Sequence, residues 1–420
     1  MKKLLALLLA LLMLLSLAGC GKQAQKDEEP AVIELTLWTF PAGDWGDPAA
    51  VETLLTQFNS VYPDILLAQP DRLIKAWGAE GMLADLSDMW DDADKQEVNA
   101  ACQSVCFTRD GKCYAYPFAM NVQCMAINYD AFVTAGADQY IDLETRTWTT
   151  EQFTQAVKAL QSKYGETVAA VYCSGQNGDQ GTRALVTNLY GGQFANDSYT
   201  GYVANSEANQ QALTLLRDTK GIEFDDAING QEEAALFYHE SLKMSFCWSL
   251  AQQLAETVDE PTEEGGEPVV HPAGKTVNGQ TIEFMAFPTD PEISQPRLQG
   301  DIWGFGVFDN GDQERIEAAK LLIRFFADGQ GASAAVKAAG CFPVRDTVDG
   351  ADLRNIWAGS DVMTEYAKLT DFLSGYDALT PGWATARTEW WNMLQRVGNG
   401  GDVVLETDTL VENANAAAKE

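Results

Sequence analysis

The chain has 420 residues, with 61 acidic side chains against 28 basic ones and a formal net charge of −33 at pH 7. Such a surface repels nucleic acid and anionic lipid headgroups, so neither is expected as a partner. The length exceeds the roughly 250–300 residues at which a single hydrophobic core stops growing, and two domains or lobes are therefore expected.

The N-terminus has the pattern of a secretory signal peptide. Two lysines precede a leucine-rich run that ends in small residues, and this run is too short and wrongly flanked for a membrane span. Cys20 completes a sequence that resembles the bacterial lipobox, which implies cleavage before the cysteine and its lipidation. We therefore predict a signal peptide over residues 1–19, followed by the lipidated cysteine and a flexible polar tether over residues 20–30.

The remaining cysteines number seven once Cys20 is set aside, and an odd number cannot all pair. Four of them cluster between residues 102 and 124, but their spacings match no zinc pattern. The chain's two histidines, His239 and His271, lie far from this cluster in the sequence. We expect ordinary buried thiols, no metal site and no cofactor.

Strands and helices alternate from the start of the predicted folded part. Residues 34–40 alternate in the manner of a strand, and residues 65–68 form the short apolar run typical of a buried parallel strand. Residues 50–62 place apolar side chains at helical spacing. A second predicted helix, broken by Gly78 and Gly81, follows the second strand.

The same alternation continues to the C-terminus. A capping box at Thr149 begins one helix, and residues 206–221 predict another capped helix that ends at Gly221. The remaining predicted elements are strands at 241–250, 284–290 and 301–308, helices at 313–329 and 385–401, and a final helix rich in alanine and asparagine. This alternation predicts an α/β fold.

Motifs of known enzyme classes do not stand out. The sequence has no serine-nucleophile elbow, no zinc-protease helix, no phosphate-binding loop and no dinucleotide fingerprint after a strand. With so few histidines a general base would have to be a carboxylate, so a secreted carboxylate-pair glycoside hydrolase stays open as the alternative. The absence of these motifs makes an enzyme the weaker interpretation.

The order of the segments resembles family 1 of the bacterial extracellular solute-binding proteins, the sugar-binding lipoproteins of ABC importers related to maltose-binding protein. The segments that carry the resemblance are the lipobox, ELTLWTF, PDILLAQPDRLIKAWG, GKCYAYPFAMNVQCMAINYDAF, TWTTEQFTQAVKAL, SLKMSFCWSL, FMAFPTD, GDIWGFGVF and CFPVRD. Each segment alone is a weak signal. Their shared order covers nearly the whole chain and is specific.

This resemblance implies two α/β lobes with a periplasmic-binding-protein-like fold, joined by hinge crossovers around a central cleft. Lobe one would hold residues 31–121 plus 289–339, and lobe two residues 122–288 plus 340–420. The implied function is capture of a mono- or oligosaccharide outside the cell and its delivery to the permease subunits of an ABC importer by hinge closure. The protein would be a monomer held to the cell membrane by its lipid. A polyol, a polyamine or a glycerol phosphate is the alternative ligand.

Candidate ligand-binding residues come first from the segment after residues 65–68. Asp71 and Arg72 follow this strand, and ligands of such sheets bind beyond the carboxyl ends of the strands. The two residues match the Asp-Arg pair that holds sugar hydroxyls in maltose-binding proteins, where a carboxylate accepts from hydroxyls and a guanidinium donates to them. The alternative interpretation is an exposed ion pair at a turn.

Further candidates are tryptophans at strand ends, loops and helix starts, because sugars stack their apolar C–H faces on flat rings. For each tryptophan, packing in the core is the alternative. With one acidic residue of the first loop included, these candidates are Trp38, Asp44, Trp45, Trp248, Trp303 and Trp383.

The sequence departs from the family pattern at Pro63-Asp64-Ile65. Relatives have two such motifs, separated by another strand and helix, whereas here one motif serves both positions. Lobe one is therefore predicted to lack a strand and a helix, which would leave a sheet edge open. A deletion or an assembly error is the favoured origin, and a naturally trimmed lobe is the alternative.

Overall fold

A computed structural model describes residues 37–39, 42–47, 50–51, 64–108, 110–260, 266–292, 295–348 and 351–419. The predicted signal peptide, Cys20, the tether and nearly all of the first predicted helix lie outside these residues.

The described elements alternate between strands and helices. The strands are β1 Leu37–Thr39, β2 Ile65–Ala68, β3 Tyr116–Met120, β4 Gln123–Asn128, β5 Ala169–Tyr172, β6 Ile222–Asp225, β7 Met244–Ser249, β8 Thr257–Val258, β9 Val269–Val270, β10 Ile282–Met285, β11 Ile302–Val307, β12 Phe342–Pro343, β13 Thr347–Val348 and β14 Ala351–Asp352. The α-helices are α1 Asp92–Glu97, α2 Ala100–Ser104, α3 Tyr129–Ala135, α4 Thr150–Tyr164, α5 Asp179–Leu189, α6 Glu207–Asp218, α7 Gly230–Tyr238, α8 Leu250–Leu254, α9 Gln313–Ala327, α10 Ala332–Ala338, α11 Asp361–Ala367, α12 Trp383–Gly398 and α13 Val403–Ala417. A π-helix spans Asp71–Gly78, and short 3-10 helices span Gly43–Gly46, Ser87–Met89, Asp138–Tyr140, Lys368–Phe372 and Asp377–Leu379.

Sheet one has the strand order β1-β2-β11-β3-β12. All four residues of β2 are buried, as its continuous apolar run predicts, and β2 pairs in parallel with β1 and antiparallel with β11. At the carboxyl end of β2, Gln69 begins the turn into the π-helix, which ends at Gly78 as predicted. The end of β2 and the start of β11 therefore meet at one margin of the sheet.

Sheet two has the strand order β10-β4-β7, with all pairings antiparallel. The chain passes from β3 in sheet one to β4 in sheet two through Asn121 and Val122. This crossing runs beside the segment that leads into β11, because the N–H of Asn121 donates to Asp301 O at 2.8 Å and that of Gln123 to Gln299 O at 2.7 Å. Two chain segments thus connect the sheets side by side.

Most predicted elements are confirmed, with shifts at their ends. The capping box at Thr149 is present, since its hydroxyl accepts from the N–H of Gln152 at 3.0 Å and the Gln152 side chain accepts from the N–H of Thr149. Ser206 caps α6 as expected, but the helix ends at Asp218 rather than at Gly221. The reason is Thr219, a β-branched residue in extended conformation that starts the approach to β6.

The seven cysteines after Cys20 are all buried free thiols, which confirms the prediction made for them. Within the described ranges, no cluster of histidine, cysteine and carboxylate side chains could hold a metal ion. Among the same residues, no helix combines the length and apolar content needed to cross a bilayer.

The edge of sheet one is formed by β1 within the described part of the chain, because β1 pairs with β2 alone there. The predicted loss of a strand from lobe one, which would leave a sheet edge open, stays a prediction. The junction residue Pro63 lies outside the described residues, but Asp64 is well anchored. Its Oδ2 accepts from Arg315 Nη2 at 2.7 Å and from Asn310 Nδ2 at 2.8 Å. The start of β2 is therefore fixed to the chain that follows β11.

Candidate ligand-binding site

A cleft of about 230 Å³ opens where the ends of β2, β11 and β4 meet the first turns of α5 and α12. Sheet one contributes the residues around Gln69 and those before β11, and sheet two contributes Gln123. The segment 376–378 closes the cleft from the C-terminal part of the chain. The cleft thus lies at the margin where the two sheets are connected, and its lining is predominantly polar.

One side of the cleft, which we term the carboxylate wall, consists of Gln69, Asp71, Asp301 and Tyr376. Gln69 Nε2 donates to Asp301 Oδ1 at 2.7 Å. The Tyr376 hydroxyl lies 3.2 Å from both Asp71 Oδ1 and Gln69 Oε1, so it can donate to either. Burial raises the pKa of Asp301, and the nearby charge of Asp71 raises it further, although the hydrogen bond from Gln69 opposes the shift.

The opposite side, the paired wall, consists of Asp179, Arg183, Trp383 and Arg387. The Asp179 carboxylate accepts from Arg387 through Nε at 2.9 Å and Nη2 at 2.6 Å, and it also accepts from Arg183 Nη1. Asp179 is 2% exposed and the Arg183 side chain 3% exposed. Buried charges need such pairing. The charge of Asp179 is therefore compensated, and the second arginine leaves a net positive charge on this wall.

The Trp383 ring is held by its neighbours on the paired wall. The Arg183 guanidinium lies 4.9 Å from the ring centroid and that of Arg387 5.8 Å from it, both within cation–π range. Phe194 packs edge-to-face against the ring with centroids 6.0 Å apart. Trp383 begins α12 after Gly382, whose φ of 72° suits glycine. The ring is half-buried and lines the cleft.

A small side cavity of about 50 Å³ adjoins the main cleft and shares Gln299 and Asp377 with it. The Gln299 amide donates to the Asp377 carboxylate at this boundary. Burial raises the pKa of Asp377, whereas the charges of Arg183 and Arg297 and the bond from Gln299 lower it. The two cavities are therefore neighbours that share Gln299 and Asp377 in their linings.

Lys75 reaches from the π-helix to the segment before α12, which includes the cleft-lining residue Ala378. Its Nζ donates to the carbonyl oxygens of Ala378 at 2.7 Å and Thr380 at 2.6 Å. Burial lowers the pKa of Lys75 to about 8, while the charge of Asp71 acts in the opposite direction. This lysine is a direct polar connection between sheet one's end of the cleft and the C-terminal part.

Of the residues predicted from sequence, Asp71 and Trp383 line the cleft, on opposite walls. Arg72 is exposed and lies outside the lining, although its charge reaches Tyr376. Trp303 is half-buried against the core beside β3 rather than in the cleft lining. Asp44 is exposed on its 3-10 helix and is not part of the lining either.

Two predicted tryptophans belong to the core, which corrects the sequence-based assignment. Trp45 is fully buried, donates through Nε1 to Ala335 O at 3.1 Å, and packs edge-to-face against three phenylalanine rings. Trp248 is fully buried between Phe237 and Tyr238, and its Nε1 donates to Gln253 Oε1 at 3.0 Å. Neither ring has a face open to a ligand.

Trp38 lies in β1, where its backbone pairs with Leu66. Its side chain is outside the described part of the chain, so its predicted ligand contact stays a prediction.

Sequence reasoning missed most of the paired wall. Asp179 and Arg183 are four residues apart at the start of α5, and Trp383 and Arg387 are four apart at the start of α12. Each spacing places both side chains on one helix face, and this signal is readable from sequence. That the two helix starts meet is not readable, since Arg387 and Asp179 are separated by 208 residues.

Residues 43–364 match the bacterial extracellular solute-binding protein family, and the chain belongs to that family. No curated protein matches the sequence. The family consists of solute-binding proteins that act outside the cytoplasm, rather than of enzymes.

Solved structures support the same fold. The cyclic alpha-maltosyl-1,6-maltose binding protein of Arthrobacter globiformis is similar with a TM-score of 0.66 at 16% identity, over 93% of this chain and 100% of that one. An ABC transporter solute-binding protein of Thermotoga lettingae, bound with alpha-D-tagatose, has a TM-score of 0.61 at 13% identity, over 92% and 100% of the two chains. An ABC substrate-binding protein of Listeria monocytogenes in complex with cycloalternan has a TM-score of 0.59 at 16% identity, over 92% and 99%. The fold is thus that of the periplasmic binding proteins of the maltose-binding type.

Proposed function

We propose that the protein captures a carbohydrate outside the cell in the cleft between its two walls and delivers it to an ABC importer. The observation that carries the proposal is Trp383, a half-buried ring that is fixed by Arg183 and Phe194 and faces a cleft lined with carboxylates and amides. A flat ring offers a surface for the C–H face of a sugar. The polar groups around it can bind hydroxyls at the sugar's edge.

The polar groups of the cleft suit hydroxyl recognition because acceptors and donors are both present. Asp71, Asp301 and Asp377 supply acceptor oxygens, while Gln69 and Gln299 can exchange their present bonds for bonds to a ligand.

The transport mechanism we infer is hinge closure. A ligand that contacts both the carboxylate wall and the paired wall stabilises the arrangement in which the walls are close, and an importer's permease subunits would recognise that state. The lobe boundaries given by the resemblance, 31–121 plus 289–339 and 122–288 plus 340–420, are part of this proposal. The chain connections between the sheets near Asn121 and Gln299 support it, because they lie side by side.

The anchoring part of the proposal rests on the sequence before the described residues. Cys20 would carry the lipid after removal of residues 1–19, and the polar tether would hold the folded part at the outer face of the cell membrane. The protein would act there as a monomer.

Similar proteins favour a carbohydrate over other solutes. The similar Arthrobacter protein is a cyclic alpha-maltosyl-1,6-maltose binding protein, and the similar Thermotoga and Listeria proteins are bound with alpha-D-tagatose and with cycloalternan. A glycerol phosphate is disfavoured because Arg183 and Arg387 are both committed to Asp179. Free guanidinium groups are what a phosphate would need.

A thermal melt against a sugar panel tests the proposal. The chain from residue 20, with Cys20→Ala to keep it in solution, is melted alone and with mono- and oligosaccharides. A ligand at 100 times its dissociation constant stabilises the fold by about 2.7 kcal/mol, which raises the midpoint by several degrees. A cooperative melt that no sugar raises would contradict a carbohydrate ligand.

Replacement of Trp383 then tests the site itself. Trp383→Ala is expected to weaken binding of the sugar found above by about 30-fold, because central aromatic contacts are worth about 2 kcal/mol. Trp391→Ala is the matched control, since Trp391 is half-buried on the same helix and does not line the cleft. Equal loss of affinity in both variants, by isothermal titration calorimetry, would show an indirect effect of α12 and contradict the stacking role.

A further inference from the structure

The carboxylate wall places two acidic side chains side by side without a cationic partner. Asp71 and Asp301 are linked through Gln69 and the Tyr376 hydroxyl, and both line the cleft. Within the described ranges, neither carboxylate forms an ion pair. Two like charges in a half-buried site destabilise each other unless a counter-charge arrives.

Three cations near the cleft, Lys75, Arg183 and Arg387, form their contacts away from the Asp71 and Asp301 carboxylates. Lys75 directs its Nζ to the carbonyl oxygens of Ala378 and Thr380, so its charge reaches Asp71 only from a distance. Arg183 and Arg387 face the opposite wall, where both bind Asp179. The walls therefore differ in sign: the paired wall has two arginines against one carboxylate, and the carboxylate wall retains negative charge.

We propose that the ligand is an amino sugar whose ammonium group binds between Asp71 and Asp301, with its ring stacked on Trp383. This inference rests on the proposed carbohydrate function and narrows the substrate class. An ammonium group has three donors, which suits two carboxylates together with the Tyr376 oxygen. A neutral sugar leaves both carboxylate charges uncompensated.

The raised pKa of Asp301 supports this placement. Burial is the main cause and the adjacent Asp71 adds to it, so Asp301 holds its negative charge at a free-energy cost. A cation reverses that cost, because an opposite charge within a few ångströms favours the ionised carboxylate.

The test compares matched amino and neutral sugars by isothermal titration calorimetry on the Cys20→Ala chain. The probes are D-glucosamine with D-glucose and N-acetyl-D-glucosamine, the corresponding galactose series, and the polyamines putrescine and spermidine. At least one amino sugar is expected to bind about tenfold tighter than both of its neutral counterparts, because charge-assisted hydrogen bonds are about twice as strong as neutral ones. Added salt should weaken amino-sugar binding more than neutral-sugar binding.

Asp301→Asn keeps the size and the hydrogen-bonding capacity of the side chain and removes its charge. In this variant the preference for the amino sugar should fall about tenfold towards parity, while the affinity for the neutral sugar stays within about twofold. Asp226→Asn, at an exposed position after β6, is the control and should leave the preference unchanged.

Each of the other outcomes contradicts either the amino-sugar inference or the proposed carbohydrate function. Equal or tighter binding of the neutral or N-acetylated sugars overturns the ammonium assignment and leaves the carbohydrate function standing. If polyamines bind and no sugar binds, the proposed carbohydrate function is overturned. The pair Asp71 and Asp301 would then still be a site for a cation. A cooperative fold that binds no amine-bearing probe overturns the inference.

Discussion

The two walls of the cleft both contain buried or half-buried carboxylates, but they differ in whether those carboxylates have arginine partners. On the paired wall, Asp179 is buried with two arginines against it, and Trp383 rests on both guanidinium groups. On the carboxylate wall, Asp71 and Asp301 have neutral neighbours, Gln69 and Tyr376. Asp179 on the paired wall has its counter-charges without a ligand, whereas Asp71 and Asp301 form no ion pair among the described residues.

This difference predicts separate roles for the two walls, one in stability and one in ligand binding. The paired wall is part of the folded structure and keeps a rigid aromatic surface in place, so its loss should cost stability. The carboxylate wall has polar groups whose best partners come from outside, so its changes should alter affinity with little effect on stability. Variants on the two walls test this predicted difference.

The largest expected effect is that of Asp179→Ala on stability. Removal of this carboxylate leaves Arg183 buried without its counter-charge, and breaking such a pair costs about 3–5 kcal/mol. Asp71→Ala on the carboxylate wall should change the free energy of unfolding by less than about 1 kcal/mol, because Asp71 has no ion pair in the described part. Urea unfolding measures both. Similar values for the two variants would remove the distinction between the walls.

The second-largest expected effect is on the pH dependence of stability, through the buried carboxyl group of Glu233. Glu233 on α7 is fully buried and binds the Ser245 hydroxyl at 2.5 Å and the N–H of Phe246 at 2.6 Å, and the carbonyl oxygen of Phe246 lies close to Gly181 of α5. Burial raises the pKa of Glu233 to about 8, although these hydrogen bonds oppose the shift.

Because the pKa of Glu233 is higher in the folded protein, the unfolded state releases the proton first as pH rises. Stability from this group is therefore complete below the unfolded pKa near 4.5 and is lost as pH rises towards about 8. We expect Glu233→Gln to remove about 2–4 kcal/mol of this pH dependence. Glu232→Gln, exposed on the same helix, is the control. Melts of both variants between pH 4 and pH 9, the roughly 5-unit range that spans both pKa values, measure the slope, and an unchanged slope in Glu233→Gln would contradict the assignment.

The smallest expected effect is that of Lys75→Met. This variant loses the bonds to Ala378 and Thr380 that join the two sides of the cleft. Because the lysine is half-exposed, we expect a loss of only about 1 kcal/mol in ligand binding, roughly fivefold in affinity. Lys337→Met, at an exposed position on α10, should bind ligand as the parent does. A tighter-binding Lys75→Met would mean that the lysine opposes closure.

The fold was largely predictable from sequence because its main signals are local. The apolar run 65–68 and the capping box at Thr149 mark β2 and α4 where the structure has them. Asp71 was predictable as well, because a polar residue directly after a buried strand of such a sheet lies where ligands bind.

The roles of the tryptophans were harder to predict. Trp248 ends β7, in which every residue is buried, so alternation gives no clue to the face that a side chain occupies. Trp45 lies in a glycine-rich loop, yet the loop packs against α10 so closely that a Cβ at Gly43 would lie 2.6 Å from Ala338 O. Long-range packing decides both cases, and it is not encoded in local pattern.

The buried thiols can report the order in which the parts of the protein unfold. Burial raises the pKa of Cys124, Cys173 and Cys341 to about 12, and alkylating reagents react with the thiolate. These cysteines lie in different parts of the structure: one in β4, one after β5, and one before β12. Each thiol becomes reactive only when its own region unfolds. A time course of alkylation, measured by mass spectrometry, therefore gives the order in which these regions unfold.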